Sequence, residues 1–243
     1  MKKIYKIADR VISVDSVCDR VHRLCADYAS DEIPTAEIIT TQADIDFERE
    51  KSAAENIKEG IEVVNFSDDY LETLAVYRKL ADILNEDDII LFHGSVIAVD
   101  GEAFLFTAKS GTGKSTHTAL WRKKFGERAF MVNDDKPLIK ICEDKAVVYG
   151  TPWDGKHHLS RNVSVPLKAV CILERSETNT IKQITKSEAY NMLIQQTHRS
   201  KNPQKLGHTL QLIDDFAAKV KLYRLGCNMD MEAADVAYNA MKG

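Results

Sequence analysis

At 243 residues the chain has room for one large domain, or for a core with a small appendage. Its 44% hydrophobic and 29% charged residues are those of a soluble globular protein. A net charge of −4 argues against a general nucleic-acid or acidic-membrane binder, and no apolar stretch approaches bilayer length. Met1-Lys2-Lys3-Ile4-Tyr5 is followed by Lys6, Asp9 and Arg10, so no apolar signal region is expected. The five cysteines are odd in number and widely spaced, and read as core thiols of a reduced cytoplasm.

Residues 1–86 read as a small α+β lobe. Ile4 to Val14 offers one or two short strands, and Ser16 to Tyr28 a helix with Val17, Val21, Leu24 and Cys25 on one face. Ala36 to Thr41 alternates like a strand. The charged run Ala43 to Gly60 is either a solvated helix or a mobile segment. Asp68 to Leu84 is a strong amphipathic helix carrying Leu71, Leu74, Tyr77, Leu80, Ala81 and Leu84. No chemical constellation occurs here, so an accessory lobe that packs on the core and shapes an acceptor site is expected.

Residues 87–243 are rich in strands. Ile89 to Phe92 and Ser95 to Val99 precede the turn Asp100-Gly101, which leads into the apolar run Ala103 to Thr107. Then comes Ala108-Lys109-Ser110-Gly111-Thr112-Gly113-Lys114-Ser115, the phosphate-binding loop pattern with Ala for the first Gly, followed by a helical stretch from Thr116 to Lys124. Glycines there let successive backbone N–H groups point at phosphates, Lys114 supplies a point charge, and the Ser115 hydroxyl suits Mg²⁺. Ala129 to Asn133 is a further strand, Leu138 to Cys142 and Ala146 to Tyr149 flank a second hairpin, and Leu167 to Leu173 is another strand. Helices are expected over Ser187 to Gln196, Thr209 to Val220 and Met231 to Met241. Hairpins before and after the glycine loop describe an α/β fold built on a mixed sheet.

Three further groups stand near the loop in sequence. Phe92-His93-Gly94-Ser95 lies one hairpin before it; a lone histidine of this kind is as readily structural as functional. Asn133-Asp134-Asp135-Lys136 ends a strand about twenty residues after Ser115, where one aspartate could hold Mg²⁺ and the other orient or deprotonate a hydroxyl. The plain alternative is a β-turn using Asp for local hydrogen bonds. Gly150 to His158 is a loop whose Trp153, Asp154 and Lys156 are acceptor-side or nucleotide-side candidates, Trp153 as a stacking wall. His157-His158 is no metal pair, since neighbours on a strand face opposite ways. Arg161 and Arg199 are candidates for a charge clamp on a phosphoryl group.

The order His-Gly, hairpin, apolar strand, Ser110-Gly111-Thr112-Gly113-Lys114-Ser115, helix, strand, Asp134-Asp135 resembles the C-terminal catalytic domain of HPr kinase/phosphorylase. It is also similar to the nucleotide-binding core of the ATP-dependent phosphoenolpyruvate carboxykinases. The resemblance covers residues 88 to about 200 and implies a mixed-sheet P-loop core; the small N-terminal lobe does not look like that of HPr kinase. It implies phosphate binding by Gly111, Thr112, Gly113 and Lys114, Mg²⁺ on Ser115, and metal binding and base catalysis by Asp134 and Asp135; Ser110, Ser115 and Thr116 are read with the loop as nucleotide-binding. It makes His93 a phosphate-proximal or metal-proximal residue. The Glu-Ile-Arg-Gly and Gly-Ile-Ile runs of HPr kinase are missing, and Val148 to Lys156 stand in their place. That variant looks like the HPr-kinase-related small kinases, including those that phosphorylate a serine of a ribosomally made peptide. HPr itself is therefore not the expected acceptor.

The reading is a cytoplasmic kinase using ATP and Mg²⁺, with a protein, peptide or small-molecule hydroxyl as acceptor and with no nucleic-acid or membrane partner. Lys114 neutralises charge and Asp135 is favoured as the base. HPr kinases assemble as hexamers and carboxykinases are often monomers, so the analogy leaves a homo-oligomer open. A non-catalytic ATP sensor and a plain ATPase are the rivals.

Overall fold

The computed structural model describes residues 1–60, 62 and 64–243, and they form two compact units that divide between Leu84 and Asn85. In the first unit, strands β1 (Lys2–Ile7) and β2 (Arg10–Asp15) make an antiparallel hairpin, and β3 (Ala36–Ile39) pairs parallel with β2. Helices α1 (Arg20–Leu24), α2 (Gln42–Glu59) and α3 (Asp68–Leu84) complete it, around a core that includes Ile12, Val21, Ile38, Ile45, Leu71 and Leu80. Helix α1 is shorter than the expected Ser16 to Tyr28. The backbone N–H groups of Val17 and Cys18 donate instead to the buried Glu72 carboxylate, at 2.6 and 2.7 Å, and residues 26–28 tighten into a 3₁₀ turn. The charged run after β3 is a helix, opened by a capping box between Thr41 and Asp44.

Strands of the second unit are β4 (Ile89–Leu91), β5 (Ser95–Val99), β6 (Glu102–Thr107), β7 (Ala129–Asn133), β8 (Leu138–Ile141), β9 (Ala146–Tyr149), β10 (Ser164–Arg175), β11 (Thr180–Gln183) and β12 (Lys221–Cys227). Among the described residues these nine make one curled, mixed sheet in the order β4-β8-β9-β10-β6-β5-β7, with β12 joining at β10 and β11 at β12. Most neighbours are antiparallel, as hairpins demand, but β6 and β12 both run parallel to β10. The twelve-residue β10 is the spine: its start, Ser164 to Pro166, pairs with β9, and Ala169 to Arg175 pair with β12.

Helices cover both faces of this sheet. Strand alternation sends Val96, Ala98, Leu105, Val170 and Ile172 into one buried cluster with Leu193, Ile213 and Phe216 of helices α5 (Lys186–Gln196) and α6 (Pro203–Lys219). The intervening Ile97, Phe104, Phe106, Ala169 and Cys171 meet Trp121 of α4 (Lys114–Phe125) and Ala237 and Met241 of α7 (Glu232–Met241). Trp121 is fully buried, with its ring centroid 5.1 Å from those of both Phe104 and Phe106. That packing clamps α4 onto β6, so the loop joining them has both ends anchored. Truncating such an aromatic typically costs about 3–5 kcal/mol.

Two expectations need correction here. Strands β11 and β12 were not anticipated, although β12 lies beside the spine. Helix α6 begins at Pro203, six residues before the expected Thr209, with Asn202 Oδ1 accepting from the N–H of Gln204 at 2.9 Å. No described helix is long and apolar enough to cross a membrane.

Candidate active site

The loop from Ala108 to Gly113 leaves the C-terminal end of β6 and turns directly into α4. Gly111 (φ +74°) and Gly113 (φ +119°) occupy backbone conformations that a side chain would strain. Gly113 is the residue that caps α4, so the positive end of that helix opens at the loop. Ser110, Ser115 and Thr116 are exposed, while Gly113 and Thr112 are half-buried. The Lys114 ammonium folds back to within 3.4 Å of the Ala108 carbonyl. Burial lowers its pKa from the usual lysine value, against the opposing pull of Asp135 and Asp134.

Strand β7 ends at Asn133 and delivers the two aspartates into unlike surroundings. Asp134 is buried, at 7% exposure, and its Oδ1 accepts a hydrogen bond of 2.5 Å from Ser95 Oγ. Ser95 spends its one proton there, and Thr118 Oγ1 on α4 lies 3.0 Å from Ser95 Oγ and 3.3 Å from the Lys114 and Ser115 carbonyls. Asp134 is thus tied to β5 and, through Ser95, to the helix of the glycine loop. A Cβ on Gly155 would stand 3.0 Å from Asp134 Oδ2, so the 151–156 loop closes over the same carboxylate. Asp135 is partly open, with Oδ1 3.3 Å from His93 Nε2 and Oδ2 3.7 Å from the Lys136 ammonium. Burial is the strongest influence on its pKa and raises it. The His93 bond and the charges of Lys136, His93 and Lys114 together outweigh it and hold the carboxyl below the ordinary aspartate value.

Asn133 fixes this turn. It is fully buried, its Oδ1 accepts from the N–H groups of Asp135 (2.9 Å) and Lys136 (2.6 Å), and its Nδ2 donates to Thr151 Oγ1 at 3.0 Å. The aspartate turn and the 151–153 segment are therefore one rigid piece. His93 is held from the other side: its N–H donates to the Gln196 carbonyl at 2.7 Å, and that of Gly94 to the Asp135 carbonyl at 3.0 Å.

His93, Lys114, Asp134 and Asp135 are thus brought together, and the 151–156 loop joins them. Trp153 is buried, at 5% exposure, with its carbonyl facing Asn133 and Thr151. Asp154 is nearly buried and accepts from the N–H of Ser160, whereas Lys156 is exposed. Arg199 is exposed and follows Thr197, which bridges to Phe92 beside His93. Arg161 lies with its guanidinium 4.9 Å from the Phe130 ring centroid. His157 and His158 lie in a turn and not on a strand, so strand alternation does not separate them; His158 Nδ1 is 3.0 Å from Asp154 Oδ1. Residues 59–231 match the family model "SynChlorMet cassette protein ScmC", well over half of the chain. The chain belongs to the ScmC family. No curated protein matches this ScmC-family chain. Among solved structures, the HPr(Ser) kinase/phosphatase from Coxiella burnetii aligns with 63% of the chain and 99% of its own length, at 11% identity and a TM-score of 0.35. That score is too low to establish a common fold.

Ser95, Thr118, Asn133, Thr151 and Gly155 escaped the sequence reading as site residues. Asn133 had a signal, since an Asn directly before an acidic turn commonly caps the turn's N–H groups. Ser95 and Thr118 had none, because their meeting depends on how α4 packs against β5.

Proposed function

We propose that the chain is an ATP- and Mg²⁺-dependent kinase that moves the γ-phosphoryl group to a hydroxyl, on a serine of a protein or peptide or on a small metabolite. The observation that carries this reading is the inequality of the two aspartates beside one glycine loop. Asp134 is locked on Ser95, whereas Asp135 is partly exposed and paired with His93. A nucleotide switch needs one carboxylate near its metal; an additional ionised carboxylate open to an incoming group suits a base.

The N–H groups from Ser110 to Thr116 would receive the phosphates, with Lys114 as their counter-charge. The donors for a metal are oxygens, Ser115 with Asp134, which fits Mg²⁺; that ion takes one or two carboxylates and fills its shell with phosphate oxygens and water, leaving Asp135 open as the base. When bound, Mg²⁺ neutralises charge on the transferring group. As the acceptor oxygen bonds to γ-phosphorus and the bond to the bridging oxygen breaks, Asp135 takes the hydroxyl proton and Lys114 stabilises the departing diphosphate. His93 holds Asp135 ionised and oriented. The exposed Lys156 and Arg199 are assigned to the acceptor side, and the buried Trp153 and nearly buried Asp154 to holding the loop that carries Lys156.

The test is γ-labelled ATP with Mg²⁺ and a cell extract split into protein and small-molecule fractions, with Lys114→Ala as the blank. Label in a protein or peptide band, or in a small molecule, supports the kinase and names the acceptor class. Label released only as phosphate points to an ATPase, and label remaining on ATP to a sensor; either result ends the kinase reading.

A further inference from the structure

We infer that Arg175 is a phosphate-binding residue of this site, supplying a second fixed positive charge to the donor's polyphosphate chain. The inference rests on the reading that the 108–115 loop binds a nucleotide.

Its first support is topological. Strands β6, β10 and β12 are parallel, so their C-terminal ends lie along one rim of the sheet. Ligands of open α/β sheets settle outside such ends. Thr107, the last residue of β6, pairs with Ile172, and Arg175 lies three residues further along β10. The strand therefore carries Arg175 past the end of β6 to the level of the glycine loop.

The second is the contact that results. Arg175 Nη2 donates to the Gly111 carbonyl at 2.5 Å, so the guanidinium rests on the turn where Gly111 takes its positive φ. A neutral carbonyl uses one of five N–H donors and none of the charge.

The third is charge. Among the described residues no carboxylate pairs with Arg175; Arg122, Arg161 and Arg199 also have none, but of these four Arg175 is the one that donates to the glycine loop. Arg128 is paired with Asp100, and Arg224 with Glu174, the residue directly before Arg175. Arg175 is exposed, uncompensated and held at a loop whose backbone favours anions. A planar guanidinium matches phosphate oxygens two at a time, which a lysine cannot do.

A purely mechanical role, bracing the loop through the Gly111 carbonyl, makes a different prediction. Gln at position 175 keeps an N–H donor for that carbonyl but has no charge. The full-length chain is titrated with MgATP by calorimetry as wild type, Arg175→Gln, Arg175→Lys and Arg175→Ala, each first checked for an unchanged melting temperature. The expected result is a loss of ATP affinity of about 10–100-fold in both Arg175→Gln and Arg175→Ala, with Arg175→Lys between them and wild type. Raising salt should weaken the wild type more steeply than Arg175→Gln. Wild-type affinity in Arg175→Gln, with loss only in Arg175→Ala, would leave the bracing role and overturn the inference. Equal affinity in all four forms overturns it as well. If the wild type itself binds no ATP, the nucleotide reading has failed, and that outcome is distinguished by the first titration.

Discussion

Two carboxylates taken out of bulk water, one in each unit, show how this chain separates architecture from chemistry. Glu72 on α3 is completely buried, and its oxygens accept from Val17 N–H, Cys18 N–H and the Thr40 hydroxyl. Every donor comes from a loop that needs holding, and no oxygen faces solvent. Asp135 is also withdrawn, but its side chain keeps 31% exposure, and its partners are a histidine and a lysine that are themselves partly exposed. A carboxylate sealed among donors can only fasten; one with an oxygen open to solvent can take a proton or a metal. The first unit contains the former kind, and the candidate site contains the latter.

The largest effect is expected from substituting the two acids. Asp135→Asn should lower phosphoryl transfer by about 10²–10⁴-fold while ATP affinity stays within a few-fold, as befits loss of a base. Glu72→Gln should leave transfer per folded molecule unchanged. Normal turnover in Asp135→Asn would remove Asp135 from the base role. The same acid carries a pH signature. Because its pKa lies below the ordinary carboxylate value, the acid limb of the rate should also lie below it. His93→Ala removes a bond that favours the ionised form, so this limb should move to higher pH.

The next largest effect concerns a buried base. His117 stacks edge-on against Phe106 and accepts from Trp121 Nε1 at 3.0 Å, and burial lowers its pKa from 6.5 to about 4. The unfolded chain therefore binds the proton first as pH falls. Stability is complete above pH 6.5 and drops by about 3 kcal/mol by pH 4, an order-of-magnitude figure from a shift of about 2.5 pH units. Denaturant unfolding across that window should show the slope, and His117→Leu should flatten it. A wild-type curve with no such slope would mean that the ring is protonated in place.

Glu72→Gln places an amide N–H₂ where an acceptor is required, and should cost the first unit about 2–3 kcal/mol. An unchanged denaturation midpoint would show that the loops are held by other contacts. The smallest effect is expected at Ser95→Ala. Freeing Asp134 Oδ1 should weaken Mg²⁺ dependence and turnover by about 10–100-fold, the usual cost of removing a ligand's supporting hydrogen bond, without lowering the affinity of metal-free ATP. A loss confined to stability would reduce Ser95 to a packing role.

How much of this was legible differs by region. The strand–loop–helix around Lys114, the Asp100-Gly101 turn and α3 were readable because each is written in local chemistry: glycines at positive φ, a two-residue turn, a 3.6-residue apolar stripe. Helix α1 was overread because the apolar face from Val17 to Cys25 is real, while Glu72, far along the chain, claims the first N–H groups. Strand β12 was overlooked because Lys221, Arg224 and Gly226 dilute its pattern, and its parallel place beside β10 is a long-range fact.

By itself the sequence determined the family of local conformations and the chemical inventory: a glycine loop with Lys114 and Ser115, an adjacent acid pair, and a histidine one hairpin away. Tertiary structure alone decided which acid is locked and which is open, since that depends on β5 and α4 bringing Ser95 and Thr118 to Asp134. It also decided that Arg175 stands at the loop. The physical reason is common to both: backbone geometry is set by near neighbours in the chain, whereas the state of a charged group is set by whatever packing brings within hydrogen-bond reach, irrespective of sequence distance.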